Sequence, residues 1–284
     1  MRLQTLAFLF ALTSVALGTD QTPSLIPDTV VVPSRNLRLK AFLWKPAGPG
    51  PFPVVLFCHG SGGADAAHTA GLPITEAAEK LAPLFLKHGY AFLYLFRRGQ
   101  GLSADQGPFI QDILQREETA KGKESRQHLQ FVFATTDHLD DVLAGLTFLK
   151  TTPGIDPKRV AIVGHSFGGQ LTLLAAERDN TIRAAVTVSA AAGSWQRSPE
   201  LRERLLSAVD KSTAPIMLIQ AANDYSTAPS YALDHELERL HKPHLLKIYP
   251  PVGRTSEDGH NFLYLAMPQW EDDVFTFLDE HVKH

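Results

Sequence analysis

The stretch from residue 160 to residue 169 constrains the fold of this chain most strongly. It reads Val-Ala-Ile-Val-Gly-His-Ser-Phe-Gly-Gly, an apolar run that ends in a Gly-x-Ser-x-Gly pattern around Ser166. With the helix-forming residues that follow, it predicts a buried strand, a sharp turn and a helix. Glycines permit a turn tight enough to lift the serine hydroxyl above the sheet, where the first amides of the helix favour negative charge. The pattern therefore favours nucleophilic catalysis on an acyl group.

Composition and charge argue against several other classes of protein. The 284 residues are 44% hydrophobic and 20% charged, which is typical of one globular domain. A net charge of -3 without long lysine or arginine runs gives no basic surface for nucleic acid. The His and Cys spacing matches no metal-binding pattern, and no glycine-rich phosphate loop is present. We therefore expect neither a metal nor another cofactor.

The N-terminus has the pattern of an export signal. A positive start at Arg2 precedes an apolar core at residues 6–12 and small residues near Gly18. The apolar run is short for a stable membrane span, although an uncleaved anchor or a buried segment are alternatives. We expect residues 1–18 to be a signal peptide, residues 19–284 to form one domain, and the protein to be periplasmic or secreted.

Strand and helix patterns alternate along the mature chain. Residues 37–44 alternate between polar and apolar as a half-buried antiparallel strand does, and residues 54–58 and 90–96 are continuous apolar runs typical of strands covered on both faces. Further strands are predicted at 29–32, 184–189, 214–220 and 244–249, and helices at 74–88, 137–150, 199–209, 230–240 and 269–282. The alternation predicts an α/β fold, a mainly parallel, doubly wound sheet of about eight strands with helices on both faces.

Residues 98–137 fit this alternation least well. Their charged run at 116–126 predicts a solvated helix face or a mobile loop. The connection between the strands predicted at 184–189 and 214–220 is too short for a large lid, so no large cap domain is expected. Residues 98–137 are therefore the expected partial cover over a site at Ser166.

A serine nucleophile needs a base, and the base works best when a carboxylate orients it. In open α/β sheets such groups gather at the carboxyl ends of strands. Asp224 follows the strand predicted at 214–220, and His260 lies between the last predicted strand and the closing helix. Asp234, inside a predicted helix, and Asp258, two residues before the histidine, are the rival acids.

The other histidines and the single cysteine are expected to have structural or surface roles. Of the twelve histidines, His281 and His284 fall in or after the last helix, and His165 is expected to pack beneath the turn. Cys58 is the single cysteine, so no disulfide can form within the chain. Its apolar surroundings indicate a packing role.

The whole pattern resembles the α/β-hydrolase superfamily. The chain order Ser166, Asp224, His260 is that of its catalytic triads. The resemblance covers nearly the whole mature chain and is nearest to the dienelactone-hydrolase-like branch, with similarity to prolyl-oligopeptidase-type peptidase domains. It implies a hydrolase domain at residues 19–284 with these three residues as nucleophile, acid and base. Dienelactone hydrolases proper use a cysteine nucleophile, so the serine favours an esterase-type activity.

A second motif, His-Gly-Ser-Gly-Gly at residues 59–63, resembles the His-Gly loop of esterases and lipases. The backbone amides of Ser61 and Phe167 are the predicted oxyanion hole, the pair of donors that stabilises the developing negative charge. Gly60 and Gly62 are alternative donors. A flexible glycine turn is the non-catalytic interpretation of the same residues.

The Arg-Arg-Gly-Gln-Gly sequence at residues 97–101 leaves two roles open for Arg98. In related hydrolases such an arginine braces nearby loops through ion pairs. A functional arginine would use its planar fork to bind a substrate carboxylate.

Three hypotheses about function follow. The first is a serine hydrolase that cleaves carboxylic esters of small molecules. The second is a small serine peptidase that acts on short peptides, which requires an acidic site for the substrate amine. The third is a non-catalytic binding protein on a hydrolase scaffold. The sequence indicates neither the substrate nor the oligomeric state.

Overall fold

The computed structural model describes residues 25–62 and 65–284. The signal peptide predicted for residues 1–18 lies outside the described residues and stays a prediction. Within the described part of the chain, no helix combines the length and the apolar character needed to cross a membrane.

A sheet of eight strands forms the centre of the fold. In chain order, the strands of the described residues are β1 (Asp28–Ser34), β2 (Leu37–Trp44), β3 (Phe52–Cys58), β4 (His68–Thr69), β5 (Leu72–Pro73), β6 (Ala91–Leu95), β7 (Ile155–His165), β8 (Ile182–Val188), β9 (Ile216–Ala221) and β10 (His244–Tyr249). The central sheet has the order β1-β2-β6-β3-β7-β8-β9-β10, while β4 and β5 pair with each other. β2 pairs antiparallel with β1 and β6, and the other pairings in the central sheet are parallel. The predicted mainly parallel sheet is confirmed.

Helices cover both faces of the sheet. They are α1 (Ile74–Lys87), α2 (Ile110–Lys121), α3 (Lys123–Thr135), α4 (Asp137–Lys150), α5 (Phe167–Arg178), α6 (Pro199–Lys211), α7 (Ala228–Arg239), α8 (Ser256–His260), α9 (Phe262–Leu265) and α10 (Met267–Leu278), with a 3₁₀ segment at Gly101–Gln106 and a π turn at Asp279–Lys283. The fold is that of the α/β hydrolases, and the described part of the chain contains no cap domain, as the sequence predicts.

Alternate residues of the central strands enter two separate cores. In β3, Leu56 belongs to the buried cluster that contains Leu171 of α5. Its neighbour Phe57 belongs to the cluster on the other face, with Leu81 of α1 and Trp270 of α10. Each such buried side chain contributes about 1.5–3 kcal/mol to stability. Burial on both faces explains why β3 and β6 are continuous apolar runs in the sequence.

Residues 98–137 are helical over most of their length. The charged run at 116–126 spans the end of α2 and the start of α3, which form an antiparallel pair joined at Gly122. Gly122 has φ 89°, a conformation that favours glycine and turns the chain between the helices. The charged run therefore forms helices on both sides of Gly122, and not the mobile loop that was the alternative interpretation.

The first turn of α5 lies directly against the backbone of β3. A Cβ atom added at Gly168 would stand 1.9 Å from the carbonyl oxygen of Cys58 and 2.5 Å from that of His59. A Cβ atom added at Gly164, near the end of β7, would stand 2.3 Å from the carbonyl oxygen of Gly168. Because backbone atoms fill these positions, no side chain fits without moving α5 away from the sheet.

We predict that Gly168→Ala destabilises the fold by about 3 kcal/mol, the upper end of the usual cost of overpacking, since the new methyl group overlaps backbone atoms that cannot rotate aside. Urea unfolding measures this loss. Gly193→Ala is the matched control, because a Cβ there meets no atom closer than 3.7 Å. Equal stability of the Gly168 variant and the wild type would contradict the close packing described.

Candidate active site

Ser166 joins β7 to α5 in a backbone conformation that side chains rarely adopt, with φ 56° and ψ -116°. Such a conformation costs about 1–3 kcal/mol and persists only where the surroundings hold it. Here the Ser166 N–H donates to the carbonyl oxygen of Val188 at 2.8 Å, which ties the turn to β8. The turn leaves the hydroxyl at the carboxyl ends of the parallel strands.

His260 connects Ser166 to Asp224. Its Nε2 lies 2.8 Å from the Ser166 Oγ, and its Nδ1 lies 2.8 Å from Oδ1 of Asp224. Because a carboxylate only accepts, Nδ1 carries the proton and Nε2 is the acceptor for the serine hydroxyl. The structure thus brings His260 together with Asp224, which is 36 positions away along the chain, and with Ser166, which is 94 positions away.

Asp224 is held rigidly after β9. Its side chain is fully buried. Oδ2 accepts a hydrogen bond from Nε2 of Gln220 at 2.7 Å, and Oδ1 accepts one from the Tyr225 N–H at 2.6 Å. These donors leave the carboxylate one orientation, with Oδ1 facing the His260 ring.

His165 supports the loop that carries His260. Its Nε2 donates to the carbonyl oxygen of His260 at 2.8 Å, and its ring packs edge-on against Tyr264. Burial, and then the nearby His260, lower the pKa of His165 to about 3, so its ring is neutral at ordinary pH. This residue packs beneath the turn, where the sequence places it.

The rival acids are engaged elsewhere. Asp258 accepts the backbone N–H groups of Arg254 and Thr255 and forms a capping box with Thr255 at the start of α8. These backbone donors lower the pKa of the Asp258 carboxyl. Asp234, in α7, lies 3.3 Å from the His244 ring. Neither contacts His260, but Asp258 holds the first turn of the short helix that ends at His260.

Within the described residues, the two last histidines form no contact with Ser166, Asp224 or His260. His281 packs against Phe277 and lines a cleft with Ile182 and Pro215, at the opposite ends of the strands. His284 is the last residue of the chain.

The two predicted oxyanion donors meet at one cavity. Ser61, in the loop after β3, lines it together with Ser166 and Phe167. Within the described residues, the backbone N–H groups of Ser61 and Phe167 donate to no protein acceptor. Gly60 and Gly62, the alternative donors, line a second cavity, which Ser61 and Ser166 also line.

Four residues line both cavities: Ser61, Ser166, Tyr225 and His260. The first encloses about 180 Å³, and the second about 320 Å³. The first is lined, besides the residues already named, by Gln111, Arg126, Gln130, Gln170, residues 191–194 and Arg197. Within residues 25–62 and 65–284, no group of three or more His, Cys, Asp or Glu side chains is arranged to hold a metal ion.

Comparison with protein-family models decides the family of this chain. The model of the dienelactone hydrolase family matches residues 39–264, which include Ser166, Asp224 and His260. The chain belongs to the dienelactone hydrolase family.

Known proteins similar to this family member differ in size and in the activity for which they are named. The quorum-quenching protein AidA of Acinetobacter baumannii (strain MDR-ZJ06) is 28% identical over 161 residues, which are 57% of this chain and 43% of that protein. The acylaminoacyl peptidase of Pyrococcus horikoshii has a TM-score of 0.65 at 20% identity, over 93% of this chain and 42% of the peptidase. A dienelactone hydrolase from Anabaena variabilis ATCC 29413 has a TM-score of 0.61 at 18% identity, over 92% of this chain and all of that one. The chain thus spans less than half of the first two relatives.

In this dienelactone hydrolase family member, Arg98 has the contacts of a bracing residue. Its Nε and Nη2 donate to the two carboxylate oxygens of Asp141 at 2.9 and 2.7 Å, and Nη1 lies 2.9 Å from Asp137. Ser34 donates to the same Asp141 carboxylate at 3.0 Å. Arg98 lines neither cavity at Ser166.

Sequence reasoning missed most of the residues that surround the serine. Arg126 and Gln130 reach the first cavity from α3, in the segment predicted as a partial cover. Gln170 is one helical turn after the serine, and this spacing could have placed it beside the site. Arg197 comes from the loop after β8, and no pattern in the sequence separates it from other surface arginines.

Three buried histidines near the site are kept neutral. Burial and the positive charge of Arg97 lower the pKa of His59 and of His138 well below the usual range, as burial does for His165. In the unfolded chain each ring takes up a proton as the pH falls through about 6.5. The folded protein binds these protons less readily. Their contribution to stability is therefore complete above about pH 6.5 and is lost as the pH falls.

We predict that His138→Phe makes the fold less sensitive to acid. His138 meets the rings of Phe133 and Phe167 edge-on, and its Nδ1 has no hydrogen-bond partner. Between about pH 6 and pH 4.5, the slope of unfolding free energy against pH should fall by up to about 1.4 kcal/mol per pH unit. Urea unfolding across this range measures the slope. His235→Gln, at an exposed position, should leave it unchanged, and an unchanged slope in the Phe variant would contradict the prediction.

Proposed function

We propose that this member of the dienelactone hydrolase family is a serine hydrolase that cleaves carboxylic esters through an acyl-enzyme on Ser166. The observation that carries the proposal is the position of the His260 ring, within 2.8 Å of both the Ser166 Oγ and the Asp224 carboxylate. A neutral imidazole held in this tautomer accepts the hydroxyl proton as the oxygen attacks, and the carboxylate stabilises the imidazolium that results.

In the first step, the Ser166 Oγ forms a bond to the carbonyl carbon of the ester and its proton moves to Nε2 of His260. The carbonyl electron pair moves to oxygen, where the N–H groups of Ser61 and Phe167 bind the negative charge. When this pair returns, the bond between carbon and the alcohol oxygen breaks. The departing oxygen takes the proton from His260, and the alcohol leaves.

In the second step, water replaces the alcohol. His260 removes a proton from the water as its oxygen attacks the acyl carbon. Collapse of the second tetrahedral intermediate breaks the bond to Oγ, which recovers the proton from His260. The carboxylic acid leaves, and Ser166 is restored.

The charges around the serine support an ester over a peptide with a free amino terminus. The charged side chains that line the first cavity, apart from His260, are Arg126 and Arg197. An aminopeptidase requires an acidic group for the substrate amine. Glu257 lines the second cavity and not the first, and its Oε1 accepts a hydrogen bond from Asn261 at 2.9 Å. The arginines repel an ammonium group and leave uncharged or anionic esters as better ligands.

We predict that Ser166→Ala reduces hydrolysis of 4-nitrophenyl acetate by about 10⁴-fold or more, because the acyl-enzyme cannot form. Release of 4-nitrophenol measures the rate. Ser207→Ala, on α6 and outside both cavities, is the matched control and should retain wild-type activity. A wild-type rate of hydrolysis by Ser166→Ala would contradict the proposed mechanism.

Covalent labelling distinguishes a hydrolase from a binding protein on the same scaffold. A fluorophosphonate probe should label the wild type and the Ser207 variant, but not Ser166→Ala, since only an activated serine displaces its fluoride. An unlabelled, folded wild-type protein would favour the binding protein.

We further predict a preference for esters over amides. With 4-nitrophenyl acetate and 4-nitroacetanilide, which share the acyl group, kcat/KM should be higher for the ester by more than can be accounted for by their relative non-enzymatic hydrolysis rates. Both products are followed by absorbance. Efficient cleavage of the anilide, or of aminoacyl 4-nitroanilides, would instead support the small serine peptidase.

A further inference from the structure

Arg97 is a buried cation directly behind the catalytic loop. It follows β6, and only 1% of its surface is exposed. Within the described residues, no carboxylate lies within ion-pair distance of its guanidinium. The charge of Asp141 acts on Arg97 from farther away, and that carboxylate binds the neighbouring Arg98. Burial lowers the pKa of Arg97 to about 10, so the group stays positive at neutral pH. A buried charge without an acid partner is costly and needs another source of stabilisation.

Two backbone carbonyl groups of the loop after β3 supply hydrogen-bond acceptors for Arg97. Its Nη1 donates to the carbonyl oxygen of His59 at 2.7 Å, and its Nη2 donates to that of Gly60 at 2.7 Å. The guanidinium carbon also lies 5.6 Å from the centre of the Phe167 ring. Arg97 therefore contacts both segments that supply the predicted oxyanion donors.

The bond to Gly60 sets the direction of the Ser61 N–H. The peptide that joins Gly60 to Ser61 is trans and planar, so its C=O and N–H point in opposite directions. When Arg97 holds the carbonyl on the buried side, the N–H faces away from Arg97. The two cavities at this loop are both lined by Ser61 together with Ser166. A peptide flip would turn a carbonyl oxygen toward the developing negative charge.

Neighbouring groups hold the same loop, and one of them, the His59 ring, shares the Gly60 carbonyl oxygen with Arg97. The Nε2 of Gln100 donates to the carbonyl oxygen of Ser61 at 2.9 Å. The Arg97 N–H points at Nε2 of His59, so the neutral ring carries its proton on Nδ1, which donates to the Gly60 carbonyl oxygen at 2.7 Å. Three successive loop carbonyl groups are thus fixed by side chains beneath them.

We infer that Arg97 is a positioning residue of the oxyanion hole, acting through the peptide that joins Gly60 to Ser61. It holds that peptide with its N–H toward Ser166, and its charge polarises the amide so that the N–H becomes a stronger donor. The negative charge that forms on the substrate oxygen complements the unpaired guanidinium. This inference rests on the proposed hydrolase function and assigns Ser61, in preference to Gly60 or Gly62, as the loop donor.

Arg97→Met and Arg97→Lys test the inference with 4-nitrophenyl acetate and phenylboronic acid, which forms a tetrahedral anion on a serine. In Arg97→Met, kcat should fall about 100-fold or more with little change in KM, because an oxyanion donor acts in the transition state. The affinity of Arg97→Met for phenylboronic acid should fall as well. Arg97→Lys should lie between this variant and the wild type, since it keeps the charge but cannot hold both carbonyl groups.

Arg204→Met is the control for a merely structural arginine. Arg204 pairs with Glu177 between α6 and α5, outside both cavities, so its loss should lower stability and leave kcat unchanged. The inference is wrong if Arg97→Met loses stability but keeps its kcat, as expected for Arg204→Met. It is also wrong if Arg97→Met has the wild-type kcat and the wild-type affinity for the boronic acid. Activity that depends on Ser166 would then still stand, so failure of the inference is distinct from failure of the proposed function.

A crystal structure of the wild type with phenylboronic acid gives a second test that requires no Arg97 variant to fold. The inference expects a boronate oxygen within hydrogen-bond distance of the Ser61 and Phe167 N–H groups, with the Gly60 carbonyl still on Arg97. A boronate oxygen held by other donors, or a Gly60 carbonyl turned away from Arg97, would overturn it.

Discussion

The contact between the first turn of α5 and the end of β3 positions the rest of the site. Because residue 168 has no side chain, the carbonyl groups of Cys58 and His59 lie against the helix backbone. The loop that follows β3 therefore starts beside the turn that carries Ser166. One contact thereby brings the nucleophile and the loop with Ser61 to the same cavity. A helix displaced by the width of a methyl group would separate them.

The electrostatics beneath this contact follow a single pattern. Arg97 is buried and charged, whereas burial keeps the nearby His59, His138 and His165 neutral. Protonation of any of these rings would place a second positive charge in a medium that solvates charge poorly. A buried cation next to neutral rings suits a site in which negative charge appears briefly on the other side of the loop. The same arrangement makes the fold sensitive to acid.

Local sequence pattern predicted the sheet, most helices and the positions of Ser166, Asp224 and His260, because burial periodicity and strand ends are local properties. The sequence pattern could not assign different roles to Arg97 and Arg98. The two are adjacent, and only the packed structure shows that the first turns toward the loop while the second binds Asp141. The conformation of the α2–α3 pair could not be predicted either, since a charged run is compatible with a helix face or a loop.

The residues proposed for the chemistry and those that shape the cavity belong to different parts of the fold. Ser166 and Asp224 follow strands whose registers are fixed by burial on both faces, so they tolerate little displacement. Arg126 and Arg197 come from α3 and from the loop after β8, which the sheet does not fix in this way. Substitutions in these outer segments can alter the charge and shape of the cavity without moving the serine. A sheet shared with solved structures at 18–20% identity is therefore compatible with a different substrate.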